Sequence, residues 1–558
     1  MAAVCGACVL AAVAGTWPLT LHVMRAVPLG TETAATIPVF DIWTLWWSAS
    51  RAVHGYAGFW DAPIFHPTPG TFAFSEPMVL PGLFAAPLFA LRAPPALVHN
   101  LVLLGVLTCD GVFGCRLARA FGATRASALV AGVLVVTLPF FDKLRGELPI
   151  LAVAGTLAAL DGVARFGRDG RVAHALEAAA GLVAQALCCE QLTAAAAILV
   201  LVAAGVALHQ RGFQRGSVAR LGVALALAGL AIFAAARTPL AVHRDLGFAR
   251  SAAVVQSLSA TVGDLFTRPA DAWAAFPPRE AAERYTGGLF PGIGVLVLAA
   301  AAVLARRGGV SGSRHPWRWY ALGAVVVADA LALGLNLSVA GWRPFSLLRA
   351  LPGIGAIRSP FRAAVFAQAH LACLAALGLD ELAQRLGRRG LVLAAGLLAA
   401  AENVGAPARL LEVPLTPRTA WTAFLAAQPA GTVVAHVPFP AGREVEDFAP
   451  EAWRMFAQLD HGRPLVNGYA SNFPAVHREL MFAMGEVFPK PILACALHRV
   501  FGADLLVADQ PWLAAHRAAF EELVPLLTPV YADADVAIYR FTPSPEACPP
   551  MRLDIGAR

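Results

Sequence analysis

Charge is scarce in this 558-residue chain. Charged side chains make up 14% of it and hydrophobic ones 58%, whereas a soluble globular domain carries about a quarter charged residues. Lysine is nearly missing: Lys143 and Lys490 are the only two, so the net charge of +7 is carried by arginine. The arginines stand singly or in short clusters between apolar runs, which excludes the continuous basic face of a nucleic-acid binder. The nine cysteines hold no metal pattern. Cys5 and Cys8 have C-x-x-C spacing, but they lie in the first apolar run without a second ligand pair. The N-terminus lacks the basic region of a cleaved signal peptide. Its apolar run continues through Leu21, His22, Val23 and Met24 to the first positive charge, Arg25, and reads as a retained first helix. No internal repeat is visible.

What the chain does have is a series of apolar runs of about twenty residues, the length that crosses ~30 Å of hydrocarbon. The runs predict spans over 3–24, 96–115, 126–141, 148–164, 173–188, 191–208, 219–236, 287–305, 319–337, 361–379 and 390–403. The connections set the orientation. Arg116, Arg119 and Arg125 occupy one; Arg165, Arg168 and Arg171 the next of the set; then Arg211, Arg215 and Arg220. Arg306, Arg307, Arg314 and Arg318 follow, then Arg385, Arg388 and Arg389. These fall at every second connection, as the positive-inside rule requires of cytoplasmic loops. Residues 79–92 are apolar but short, and Pro81 and Pro87 interrupt them. They read as a re-entrant or interfacial piece rather than a span.

The expected fold is therefore mainly α: a polytopic transmembrane bundle of about eleven helices in a bacterial inner membrane, with a cytoplasmic N-terminus. Residues 1–404 form the membrane domain, with long outside connections at 26–95 and 237–286 and a shorter one at 338–360. Residues 405–558 change character. Short β-like runs at 432–437, 464–466, 504–507 and 536–540 alternate with helical stretches such as 448–459 and 511–522, which predicts a small extracytoplasmic α/β domain. It has no glycine-rich phosphate loop and so no nucleotide site. Cys495 and Cys548 are its two cysteines, open to a disulfide in an oxidising compartment.

The first outside connection is the most informative. Asp41 opens DIWTLWWSASRAVHGY, where Trp43, Trp46 and Trp47 fall at helical spacing, as in an amphipathic helix lying along the membrane surface. Asp41 then stands at the headgroup boundary, placed to take a proton from an attacking hydroxyl or to ligate a metal; the alternative is that it caps the helix. His54, Asp61, His66 and Glu76 follow, either as ligands of a divalent ion or as a solvated loop. Arg343 and Arg349 precede PGIGAIRSPFR, which adds Arg358 and Arg362. Guanidinium groups there suit a lipid phosphate, or snorkel to headgroups. Lys143, Arg145 and Glu147 lie at another outside turn and Glu190 at the next, facing a shared cavity or simply marking the boundary. Asp110 and Asp329 sit inside spans, as functional carboxylates or as bonds to a neighbouring helix.

DIWTLWW, then HGYAGFWDAPIFHPTPGTFAFSE and LPGLFAAPLFAL, resemble the start of GT-C-type membrane glycosyltransferases, and more closely a broad set of bacterial polytopic proteins of that superfamily. PGIGAIRSPFRAAVF, HVPFP and HGRPLVNGYAS extend the resemblance over most of the chain. It implies an enzyme that takes a sugar from a polyprenyl-phosphate carrier and inverts it onto a glycan, lipid or protein acceptor outside the cytoplasm. In such enzymes an acidic residue of the first outside loop is the base or metal ligand, and Asp41 occupies the matching place; a divalent ion (Mg or Mn) is the cofactor this would use. Many members carry an acidic pair there, but here Ile42 follows Asp41, and Glu32 is too distant to form a doublet. The WWDYG-type motif of oligosaccharyltransferases is missing, so protein N-glycosylation is not implied. Asp41 is thus the expected base. Arg349, Arg358 and Arg362 are expected to hold the donor phosphate, with Glu147, Glu190 and His66 contacting substrate. The rivals are a transporter or flippase of lipid-linked glycans, which Asp110 and Asp329 favour, and a non-catalytic envelope assembly protein.

Overall fold

A computed structural model of the chain describes residues 2–30, 35–280, 285–305, 316–350, 355, 358–544 and 546–548. Glu32, Arg306, Arg307 and Arg314 lie outside the described residues. Among those described, seven helices are long and apolar enough to cross a membrane: Pro95–Phe121, Arg125–Lys143, Leu148–Asp169, Glu190–Gln210, Arg215–Asp245, Pro316–Asn336 and Pro360–Leu386. The other four expected spans are apolar helices of 12 to 17 residues, Ala2–Gly15, Val172–Cys188, Ile293–Leu304 and Arg389–Asn403. The chain is a polytopic helical membrane protein, and length alone supports seven of the eleven spans. The first expected span, 3–24, is broken. Its helix ends at Gly15, and a four-residue turn, Leu19–His22, follows Pro18, whose ring cannot continue the preceding helix. The Val79–Ala90 helix has 12 residues, too few to cross.

The arginine-bearing connections meet at one end of the bundle. Arg168 donates to the Arg119 carbonyl at 3.3 Å, Arg211 to the Arg168 carbonyl at 3.5 Å and Arg220 to the Gly170 carbonyl at 3.2 Å. Asp380 accepts the Thr124 amide there at 2.7 Å. The long connections and the C-terminal part occupy the opposite end.

At that end the first connection is folded, and it is not a membrane-surface strap. Strand β1 (Ala26–Pro28) pairs antiparallel with β2 (Leu410–Glu412), Val27 opposite Leu411. The Thr36–Ala52 helix follows, but its tryptophans turn toward protein: Trp43 and Trp47 are buried. Trp43 Nε1 donates to Gln458 Oε1 at 2.8 Å and Trp47 Nε1 to the Phe59 carbonyl at 2.9 Å. An indole buried with its one donor satisfied is the stable alternative to a place at the headgroups. Helical spacing was right; the expected partner was not.

The C-terminal part carries a four-stranded sheet of β3 (Val434–Val437), β4 (Leu505–Asp509), β5 (Leu527–Ala532) and β6 (Val536–Phe541), in the order β3-β4-β6-β5. β3 and β4 are parallel and the other pairs antiparallel. The run at 464–466 is no strand; Leu465 makes one isolated bridge to Val434. β5 escaped the sequence reading because Pro529 interrupts it, which a bulged edge strand tolerates. The sheet does not keep its core to itself. Phe40, Trp43, Phe65 and Phe72 of the first connection form one apolar cluster with Leu425, Met455, Leu505 and Ile538. On the other face, Cys495 and Cys548 are joined by a disulfide, Cα–Cα 5.4 Å.

Candidate active site

A cavity of about 1450 Å³ opens where the helix ends, the first connection, the 258–285 stretch and the C-terminal part converge; Asp41, Glu147, Glu190, Arg358 and Arg362 all line it. Asp41 is the sixth residue of its helix, and the N-cap is Ala35, without a side-chain cap. Asp41 is therefore not the helix cap. It is buried, and its Oδ2 accepts the Leu148 amide at 2.8 Å, which fixes the carboxylate at the cavity wall.

Glu147 and Arg362 are each other's partners. Arg362 Nη2 pairs with Glu147 Oε2, Tyr285 donates its hydroxyl to Glu147 Oε1, and Arg362 Nη1 reaches Gln191 Oε1 at 2.8 Å. Arg362 thus orders Glu147 rather than presenting an open fork to phosphate. A second pair, Lys143 Nζ to Glu280 Oε2 at 2.6 Å, is almost fully buried. The Glu190 carboxylate lines the cavity and, among the described residues, takes part in no hydrogen bond or ion pair. Beneath it Glu76 accepts the amides of Glu190 and Gln191 at 2.7 and 2.9 Å, filling two of the donors left open at a helix start. Burial pushes the Glu76 carboxyl up, while the two amides and Arg362 oppose the shift.

Two cavity-lining cations, Arg250 and Arg358, meet no acidic side chain among the described residues. Arg358 is exposed to the cavity, and no acidic partner meets it among the described residues. Arg250 donates through Nη2 to the Ser471 carbonyl, and its Nε is buried without a partner. Burial and the neighbouring Arg358 push Arg250 down to about 10. Two guanidinium groups that repel each other in a half-closed cavity are unfavourable until an anion joins them. Arg349 does not line the cavity; its Nη2 holds the Arg250 carbonyl at 2.7 Å. His66 does not line it either. It backs onto the C-terminal part, its amide donating to the Leu465 carbonyl at 2.9 Å, and burial pushes its imidazole down.

The His54, Asp61, His66 and Glu76 set does not converge. His54 Nδ1 meets the Ser50 carbonyl at 2.7 Å, and Asp61 accepts the Gly70 amide at 2.9 Å. Among the described residues no three His, Cys, Asp or Glu side chains come together as metal ligands would. The oxygens of Glu76 and Glu147 are taken up by amides, Tyr285 and Arg362. Asp110 accepts the Val153 amide through Oδ1 at 3.0 Å where a helix begins, while its Oδ2 is buried without a hydrogen-bond partner among the described residues.

From the polar chamber the cavity continues as an apolar crevice between three helices. Leu182 and Leu187 come from Val172–Cys188, Ala194 and Ala197 from Glu190–Gln210, and Ile232 and Phe233 from Arg215–Asp245. Of the polar residues that matter here, the sequence reading missed Arg250 and Tyr285 and placed Glu76 in the wrong setting. All three lie in long connections, where no periodicity marks an inward-facing position.

No family model and no curated protein matches the chain. Solved structures do. The arabinofuranosyltransferase AftD from Mycobacteria matches with a TM-score of 0.54 and 16% identity over 97% of this chain. The oligosaccharyltransferase of Archaeoglobus fulgidus matches at 0.43 and 12% identity, covering 96% of this chain and 74% of its own. ArnT from Cupriavidus metallidurans matches at 0.37 and 14%, covering 95% and 96%. The likeness to AftD shows a shared fold of the GT-C type. This chain spans about two fifths of the AftD chain, 40% of its length.

Proposed function

We propose that this GT-C-type membrane protein is a glycosyltransferase, moving a sugar from a polyprenyl-phosphate-linked donor to an acceptor outside the cytoplasm of a bacterial cell. The observation that carries the reading is one continuous cavity joining an apolar crevice among membrane helices to a chamber holding Asp41 and Arg358, which meets no acidic partner among the described residues. A ligand that fits both parts has a long apolar chain and an anionic head. One solved structure that shares this fold, AftD from Mycobacteria, is an arabinofuranosyltransferase. The acceptor, a glycan, lipid or protein, reaches the chamber from the side of the C-terminal part, where Glu444, Val445, Glu446 and Tyr469 form the rim.

In the reaction Asp41 takes the proton of the acceptor hydroxyl while its oxygen attacks the anomeric carbon from the face opposite the phosphate. The bond from that carbon to the phosphate oxygen breaks, configuration inverts, and polyprenyl phosphate leaves with the electron pair. Arg358 and Arg250 meet the charge that grows on the leaving oxygens, the preorganised stabilisation that contributes most in a water-poor site. Arg362 acts indirectly, by holding Glu147 at the sugar, and Glu190 offers hydrogen bonds to sugar hydroxyls. No step is routed through a metal ion.

The test is mass spectrometry of envelope glycans and polyprenyl-linked sugars in three strains: wild type, deletion, and Asp41→Asn at matched protein level. Loss of one glycan modification with build-up of its lipid-linked donor in both mutant strains is the expected result. A glycan change in the deletion strain while Asp41→Asn behaves as wild type would sink Asp41 as base and return weight to transport or assembly.

A further inference from the structure

A group of large apolar side chains stands outside every core. Val262, Phe266, Trp273 and Phe276 in one connection and Trp342 and Leu347 in another are between 55% and 73% exposed. They are not scattered. The stretch that bears the first four is tied by its backbone and polar side chains to the ends of three apolar helices. The Ala260 amide donates to the Ala332 carbonyl at 2.9 Å, at the end of the Pro316–Leu333 helix. The Leu289 amide, just ahead of the Ile293–Leu304 helix, donates to the Asp264 carbonyl at 3.1 Å. Trp273 Nε1 donates to the Ala401 carbonyl at 3.2 Å, and Arg268 pairs with Glu402, both in the last turn of Arg389–Asn403. Trp342 and Leu347 follow directly on Pro316–Asn336.

These ties fix the height of the segments at the level where helices leave the hydrocarbon. An indole with its N–H satisfied and its ring outward, beside exposed Arg279 and Arg343, is the composition found at the headgroup boundary. We infer that 262–276 and 339–347 are lipid-binding elements that lie in the headgroup layer of the bilayer on the cavity side. Leaving six such side chains in water is unfavourable relative to burial, and patches of this kind on a soluble surface mark a binding site. The occupant is the bilayer, because the patch is continuous with the ends of the spans. The consequence reaches the site, since Leu258, Ala270 and Asp271 of the same stretch are cavity wall. The chamber then opens at the depth of the lipid phosphates.

The inference is independent of the reaction and is tested without it. The full chain, with exposed Cys5 and Cys109 changed to alanine, receives a single cysteine by Phe276→Cys, Trp342→Cys or, as control, Phe482→Cys. Phe482 is equally exposed, at 62%, but lies in the C-terminal part. Each is spin-labelled and reconstituted in phosphatidylethanolamine–phosphatidylglycerol vesicles, and collision with oxygen is compared with collision with a water-soluble nickel chelate. Labels at 276 and 342 are expected to favour oxygen several-fold over the label at 482. If either is as open to chelate as 482, the inference fails. Low access to both reagents would mean that a second protein surface covers the patch, and would overturn it equally.

Discussion

Arg362 and Arg358 are four residues apart, yet they do different work because only one of them has a carboxylate. Removing Arg362 leaves Glu147 buried and uncompensated, so Arg362→Ala is expected to cost about 3 kcal/mol or more of stability, measured by denaturant unfolding in detergent. The paired change Arg362→Met with Glu147→Leu is expected to recover most of that loss. Arg358→Ala removes no bond to any described residue, so unfolding should be unchanged while, on the proposed function, the KM for the lipid-linked donor rises about tenfold. A stability loss there would mean that Arg358 has a structural partner. Asp41, Glu147, Glu190 and Arg358, which line one cavity, could be singled out in the sequence because charge is rare in this chain and these stand at outside turns or beside a motif. Arg250 and Tyr285 could not be singled out, because no periodicity marks their stretch and their inward direction is set by contacts with distant segments, Ser471 for one and Glu147 for the other.

Between elements, close approach is built from small residues. At Gly378 an added Cβ would land on the carbonyl oxygen of Leu298, backbone that cannot move aside, whereas at Gly105 it would meet nothing within 4 Å. Both lie in membrane helices, where small residues let backbones touch. Gly378→Ala is therefore expected to destabilise by about 1–3 kcal/mol through overpacking, and Gly105→Ala to be neutral or slightly stabilising; heat-induced aggregation in detergent reads both. The sheet and its helices in the C-terminal part respond to acid. Burial drives His461 down to about 3 and His477 to about 4, and His436 also falls well below its ordinary value, Arg454 adding to the effect. His461 Nδ1 accepts the Arg463 amide at 3.0 Å, so the ring is held neutral. Unfolded histidines take protons near pH 6.5 while these do not, so stability is complete above that pH and falls as pH drops toward 4. Each contributes roughly 1 kcal/mol of loss by pH 5.5. Pulse proteolysis between pH 7 and 5 would reveal the trend, and a flat profile would refute it. Element types followed from apolar run length, but run length does not register single prolines, and Pro18 breaks the first expected span and Pro529 interrupts β5.

The molecule as a whole has two unlike ends, and arginine placement made that readable before any coordinate. What no pattern disclosed is that the C-terminal part and the first connection share one interior. Hydrophobic spacing names the face to be buried and is silent on what buries it. Orientation remains open to direct test through the Cys495–Cys548 disulfide. If the C-terminal part lies outside the cytoplasm, those two thiols resist maleimide in intact cells until a reductant is added. Ready labelling without reductant would place that end in the cytoplasm.

The bond from Trp43 to Gln458 joins residues 415 positions apart, and Thr36 Oγ1 donates to the Val445 carbonyl across 409. A ribosome adding about 5–20 residues per second needs roughly 20–80 s to make that stretch. Through this interval the aromatic face of the first connection has no lid, and the chamber has no outer wall. The protein is thus completed only when its last part is made. A chain stopped anywhere short of its C-terminal sheet threads its helices and still leaves the Thr36–Ala52 helix undocked, which hands the cell's proteases an incomplete molecule.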